Sequence, residues 1–405
     1  MKSFIAMEER YCAHNYAPLP VVLVRGEGVY LWDTAGKRYL DMMSAYSAVS
    51  CGHAHPRLLR ALTEQAQSLA VVSRAYYTYK LPPLLKRVCE LMQQDRALPM
   101  NTGAEAVETA LKAARKWGYQ VKGVAPEQAE IIVCDGNFHG RTIAIVGFSS
   151  EDQYRDGFGP FLAGFKRIQY ADAKALEKAI TPNTVAFLVE PVQGEAGIIV
   201  PPNGYLRECK RICREHNVLL ICDEVQTGLG RTGRLLACEH DGIRPDGLIL
   251  GKALGGGLLP ISMFLARDDV MDVFAPGDHG STFGGNPLAA AVALETLDLL
   301  VEERLWERSA ELGKYFLQKL QSLASPFIKD LRGLGLFIGM EIDPDYASAR
   351  EVCEQLMRAG ILSKETHETV VRFAPPLTIT KAQLDWAFTR IKDVLNDLHA
   401  LHSAA

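Results

Sequence analysis

Between residues 97 and 292, short apolar runs alternate with stretches of helical spacing. The runs at 131–134, 185–189, 218–222, 248–250 and 261–266 are apolar but for Ser262, without a polar residue at every second position. A strand of that kind is covered on both faces, as in a parallel sheet clothed by helices. Val107, Leu111, Ala114 and Trp117 recur on one face of a helix, and 206–214 reads as another. Strands and helices taken in turn predict an α/β fold with a mostly parallel sheet. Functional groups then belong at the carboxyl ends of its strands.

That sheet does not account for the whole chain. At 405 residues the protein exceeds the roughly 250–300 residues that one core supports. Residues 18–41 read as short extended pieces punctuated by Gly and Asp, a small antiparallel unit. Beyond residue 300, helices at 305–323, 347–359 and 381–398 flank strand-like stretches at 328–342 and 370–373. The expected division is an N-terminal segment, 1–45, that packs with a smaller α+β domain, 301–405, beside a large domain, 46–300. A net charge of −4 gives no basic excess for a nucleic acid. No apolar run approaches the ~20 residues that span a bilayer. The first ten residues lack the apolar core of a signal peptide. The nine cysteines include no Cys-x-x-Cys pair, so reduced thiols in a cytoplasmic protein are expected. Around His53 and His55 no Cys or acidic partner completes a metal-ligand set, so structural or turn roles are expected.

Two strand ends and one helix start carry chemistry. The run 248–250 leads into Gly251-Lys252-Ala253-Leu254-Gly255-Gly256-Gly257. A lysine in such a setting loses water, which lowers the pKa of its amine and frees it as a nucleophile. The missing bulk on either side leaves room for a flat group at its tip. The run 218–222 ends in Asp223-Glu224, an acid placed to pair with a protonated ring nitrogen. Asn101-Thr102-Gly103-Ala104-Glu105 opens a helix with capping-box spacing, and free N–H groups at such an end suit a phosphate. Phe138-His139-Gly140-Arg141-Thr142, Glu190-Pro191-Val192-Gln193-Gly194-Glu195 and Ser281-Thr282 add an aromatic face, guanidinium, carboxylates and hydroxyls. Gly228-Leu229-Gly230-Arg231-Thr232-Gly233 imitates a dinucleotide fingerprint, but residues 223–227 intervene where that motif needs an immediate turn.

These stretches, with Asp223-Glu224-Val225-Gln226-Thr227-Gly228, resemble the class III pyridoxal-phosphate-dependent aminotransferases, which have the fold-type I architecture. His14-Asn15-Tyr16, Ser44-Ala45-Tyr46, Gln193-Gly194-Glu195-Ala196-Gly197 and Val371-Arg372-Phe373-Ala374-Pro375 bring the resemblance to the ornithine-using branch. It extends over nearly the whole chain. It implies that Lys252 bonds to pyridoxal 5'-phosphate, that Asp223 pairs with its ring nitrogen and that Phe138 stacks on the ring. Gln226 lies near the ring hydroxyl and His139 beside the cofactor. Gly103 and Ala104 would donate N–H groups to the phosphate, with Ser281 and Thr282 reaching it across a homodimer. Tyr16 and Tyr46 would contact ornithine, Arg141 would hold a carboxylate, and Arg372 would be a second carboxylate receptor paired with Glu195. The implied reaction moves the terminal amine of L-ornithine to 2-oxoglutarate. The branches using acetylornithine or 4-aminobutyrate share most of the cofactor motifs and are the alternative.

Overall fold

The computed structural model describes residues 2–403. Seven strands form its largest sheet, in the order Arg96–Met100, Ser262–Ala266, Gly247–Leu250, Leu219–Asp223, Thr184–Val189, Glu130–Cys134 and Phe165–Ile168. The strands from Gly247–Leu250 to Phe165–Ile168 run parallel, and Ser262–Ala266 is antiparallel to both its neighbours. Leu219–Asp223, Thr184–Val189 and Gly247–Leu250 are buried at every residue, as their unbroken apolar runs require. Two strands fall outside the apolar runs: Arg96–Met100 and Phe165–Ile168. Both lie at the sheet's edges, where Arg96, Lys166 and Arg167 keep the open side charged and Pro99 costs no central ladder bond.

Helix Gly103–Trp117 starts at the expected capping box: the Thr102 side chain accepts from the Glu105 N–H, and Glu105 reaches back to the Thr102 N–H. Its buried face, including Val107, Leu111, Ala114 and Trp117, covers one side of the sheet. Tyr205–Glu215 buries Leu206, Cys209, Ile212 and Cys213, so the four-residue cysteine spacing serves packing.

A second, antiparallel sheet is ordered Ile328–Leu334, Phe337–Ile342, Val370–Phe373, Lys364–Thr366. Helices Leu305–Gln321, Ala349–Arg358 and Lys381–Ser403 accompany it. The third sheet joins the two ends of the chain. Leu23–Glu27, Tyr30–Asp33 and Arg38–Asp41 pair antiparallel, and Ile361–Leu362 adds to them in parallel. Onwards from there the Ala374 N–H donates to the Met42 carbonyl at 2.7 Å and the Leu377 N–H to that of Ser50 at 2.8 Å.

Between these contacts Ser44, Ala45, Tyr46 and Ser47 all have positive φ, from 45° to 74°. Left-handed backbone costs an L-residue about 1–2 kcal/mol each, so surrounding structure must impose this turn. Arg231 supplies part of it. Its guanidinium, fully buried, donates to the carbonyls of Leu336 (3.0 Å) and Pro375 (2.6 Å) and to the hydroxyls of Ser44 (3.2 Å) and Ser50 (3.1 Å). Burial pulls its pKa down to about 9, with Asp41 opposing. The glycine-rich stretch that imitated a dinucleotide fingerprint is therefore a structural tie. It is followed by a short 3-10 turn, Ala237–Asp241, and not by the helix a dinucleotide needs.

Candidate active site

The parallel strands deliver their carboxyl ends to a cavity of about 180 Å³. Its walls are Gly103, Ala104, Phe138, His139, Gly140, Glu190, Asp223, Val225, Gln226, Thr227 and Lys252. Each expected strand-end group is thus brought to one place: the capped helix start, the aromatic, the acid and the lysine. Val225 and Thr227, which lie within the Asp223–Gly228 stretch but to which the sequence assigns no role, complete the wall. Gly103 sits where a Cβ would lie 3.0 Å from Val225, so a larger residue at this helix start would press on that side chain.

Lys252 follows strand Gly247–Leu250 in a left-handed conformation, φ 43°, unusual for a residue with a long side chain. Burial lowers the pKa of its amine, against the pull of the Glu195 and Asp223 carboxylates. Among the described residues no side chain or carbonyl makes a hydrogen bond or ion pair with it. A half-buried, desolvated amine facing a cavity without a fixed partner is set up to react.

Asp223 is 5% exposed. Its Oδ2 lies 2.7 Å from His139 Nδ1, and its Oδ1 accepts the Val225 N–H at 3.0 Å. The His139 side chain is wholly buried; burial disfavours its charged form, but the Asp223 carboxylate outweighs this and its pKa rises. His139 therefore supports Asp223 from within the protein. Glu190, at the end of strand Thr184–Val189, accepts the Phe138 N–H at 2.8 Å. Burial pushes it up to about 7, with His139 acting against the rise. Glu190 belonged to a stretch singled out in the sequence, yet only the fold shows that it fixes the backbone of Phe138.

Arg372, in strand Val370–Phe373, is 5% exposed and donates to Glu195 Oε1 at 2.7 Å. Burial raises the Glu195 pKa less than Arg372 and Lys252 depress it, so Glu195 lies below the ordinary glutamate value. Tyr46 lies under the guanidinium, 5.2 Å from ring centre to Cζ. Arg141 projects from the loop after Phe138 and stacks on Tyr154, a residue no motif marked. Tyr16 is 74% exposed but close enough to Tyr46 to act on its charge state. Ser281 and Thr282 do not line this cavity. Ser281 accepts from Asn101 Nδ2 at 2.9 Å beside the helix start, and Thr282 faces outward.

Comparison with known proteins agrees with this layout. The class-III aminotransferase family model matches residues 11–395. The ornithine aminotransferase of Geobacillus sp. (strain WCH70) is 57% identical over 390 residues, covering 96% of this chain and 97% of its own. The ornithine aminotransferase structure from Toxoplasma gondii, in which PLP partly occupies the active site, superposes with a TM-score of 0.98. It is 46% identical, with 99% of this chain and 95% of that one covered. An acetylornithine aminotransferase structure from Elizabethkingia anophelis gives 0.89 at 47% identity, over 98% and 99% of the two chains. With the lysine, the strand-end acid and the capped helix around one cavity, and with this likeness end to end, the chain belongs to the class-III aminotransferases.

Proposed function

We propose that the protein moves the terminal (δ) amino group of L-ornithine to 2-oxoglutarate, giving glutamate 5-semialdehyde and glutamate, with pyridoxal 5'-phosphate as cofactor. The cavity suits that cofactor. Gly103 and Ala104 offer N–H groups at a helix start for the phosphate, Phe138 offers a ring face, Asp223 a carboxylate and Lys252 a desolvated, unpartnered amine. When bound, pyridoxal phosphate supplies an electron sink for the substrate carbon that carries the amine.

Lys252 holds the cofactor and moves a proton at the substrate carbon, for which its lowered pKa fits it. Asp223 would pair with the ring nitrogen of the bound cofactor. His139 fixes its orientation through the 2.7 Å contact. Gln226, in the cavity wall, would serve the ring hydroxyl. Tyr16 and Tyr46 contact the far end of ornithine, and Arg141 receives a carboxylate.

The observation that carries the substrate is the Glu195–Arg372 pair, 2.7 Å long and largely buried. Ornithine has to present its terminal amine, with its α-carboxylate kept far from the ring. An uncovered Arg372 would attract that carboxylate and bring the wrong amine forward. Glu195 covers it. The acceptor, with two carboxylates, needs both Arg141 and Arg372, so Glu195 must then withdraw. The working unit in this reading is a homodimer in the cytoplasm, with Ser281 and Thr282 serving the partner's phosphate site, and the reaction links arginine and proline metabolism. Ornithine, N-acetylornithine and 4-aminobutyrate, each offered with 2-oxoglutarate, test the reading: ornithine should give the highest kcat/KM. A clear preference for either of the others would replace it.

A further inference from the structure

The two arginines beside the cavity are held in opposite ways. Arg372 is covered by a carboxylate. Arg141 has no carboxylate partner among the described residues. Its guanidinium carbon lies 3.4 Å from the centre of the Tyr154 ring and 5.5 Å from that of Phe138. The two rings meet edge to face, 6.2 Å apart at 83°. Tyr154 sits on the single-turn helix Asp152–Arg155, and its half-buried ring makes one side of a corner of which Phe138 is the other.

A ring face attracts a guanidinium through its quadrupole and leaves the N–H groups around the cation's edge free. A carboxylate partner would occupy those same donors. We propose that Tyr154 is a positioning residue, which holds Arg141 flat and uncapped as a standing receptor for a substrate carboxylate. Arg372 is the complementary case, a receptor that must first be uncovered. The aromatic face carries this hold, and the phenol hydroxyl, which also interacts with Arg141, contributes less. Stacking also removes much of the rotamer freedom that a long arginine would otherwise lose on binding. The inference rests on the proposed function in one respect, that a substrate carboxylate reaches Arg141.

The test compares Tyr154→Phe, which keeps the ring face, with Tyr154→Leu, which removes it, in the cofactor-loaded enzyme. Glutarate, an unreactive dicarboxylate, is titrated against the visible band of the bound cofactor. Leu should weaken glutarate by about tenfold and Phe by no more than about twofold, the range a desolvated cation–π contact supports. Cadaverine, a terminal diamine without a carboxylate, reports the remainder of the pocket. Its half-reaction should change by no more than about twofold in either variant. Circular dichroism checks folding, and Tyr154→Met substitutes if the Leu variant does not fold. Unchanged glutarate affinity without the ring overturns the proposal. So do equal losses in the Phe and Leu variants, and so does a cadaverine loss matching that for glutarate. A wild-type enzyme that ignores ornithine yet shows the glutarate pattern would remove the proposed substrate and leave the role of Tyr154 standing.

Discussion

Lys252 combines three conditions that seldom meet in one lysine: a left-handed backbone, a desolvated amine and no bonding partner among the described residues. Strain at a functional position persists because its surroundings impose it. Borohydride treatment of the cofactor-loaded enzyme, followed by peptide mapping, should place the reduced adduct on Lys252, and Lys252→Ala should lower kcat by several orders of magnitude. Glu190 gives a prediction in pH. Its folded pKa, about 7, lies above the ordinary 4.5 because of burial, with His139 in opposition. The folded state therefore holds the proton more tightly than the unfolded chain. The stability this contributes is complete below about 4.5 and is lost as pH rises through about 7. Glu190→Gln removes the titrating group, so its Tm relative to wild type should climb between those two values. A difference that stays constant with pH would mean Glu190 does not titrate there.

Helix Leu305–Gln321 shows how an element can invert a propensity rule. Alanine normally improves a helix over glycine by about 1 kcal/mol. At Gly313, however, a Cβ would lie 2.0 Å from the Gly335 backbone, which has no side chain to swing aside. Gly313→Ala should therefore destabilise by roughly 1–3 kcal/mol, measured by urea unfolding, because overpacking exceeds the gain in propensity. The turn Ser44–Ser47 depends on Arg231 in a similar way. Arg231→Lys cannot reproduce a planar fork with four acceptors, so the Tyr46 wall should loosen and KM for ornithine rise, with a smaller change in kcat. Sequence and structure part company at this scale. Fully apolar strands and the Thr102–Glu105 cap were legible because burial on both faces and helix ends leave local marks. The edge strands Arg96–Met100 and Phe165–Ile168, the hold of Arg231 on two distant loops and the Tyr154–Arg141 stack left none. Those arise from pairings between remote segments, which composition and spacing do not encode.

At the scale of the whole molecule, Thr282 and Phe283 face outward, and Tyr77 is fully exposed. In the proposed dimer Thr282 completes the partner's phosphate site. Mixing Lys252→Ala with Thr282→Asp subunits tests this directly, since one site of each hybrid would then be intact. Random pairing should restore activity toward about a quarter of the wild-type sites, and no recovery on mixing would put Thr282 outside the partner's site. The sheet that joins the chain's two ends also bears on how the protein is made. Ser44 bonds to the Ala374 carbonyl, 330 residues further on. At translation rates of about 5–20 residues per second, the two are synthesised roughly a quarter of a minute to a minute apart. Throughout that interval the N-terminal strands lack the Ile361–Leu362 strand and the turn bearing Tyr46 lacks its clasp. A nascent chain can thus assemble the parallel sheet and Lys252 before it has a finished substrate wall. The wall that carries Tyr46 stays incomplete until residues 361–377 have been made.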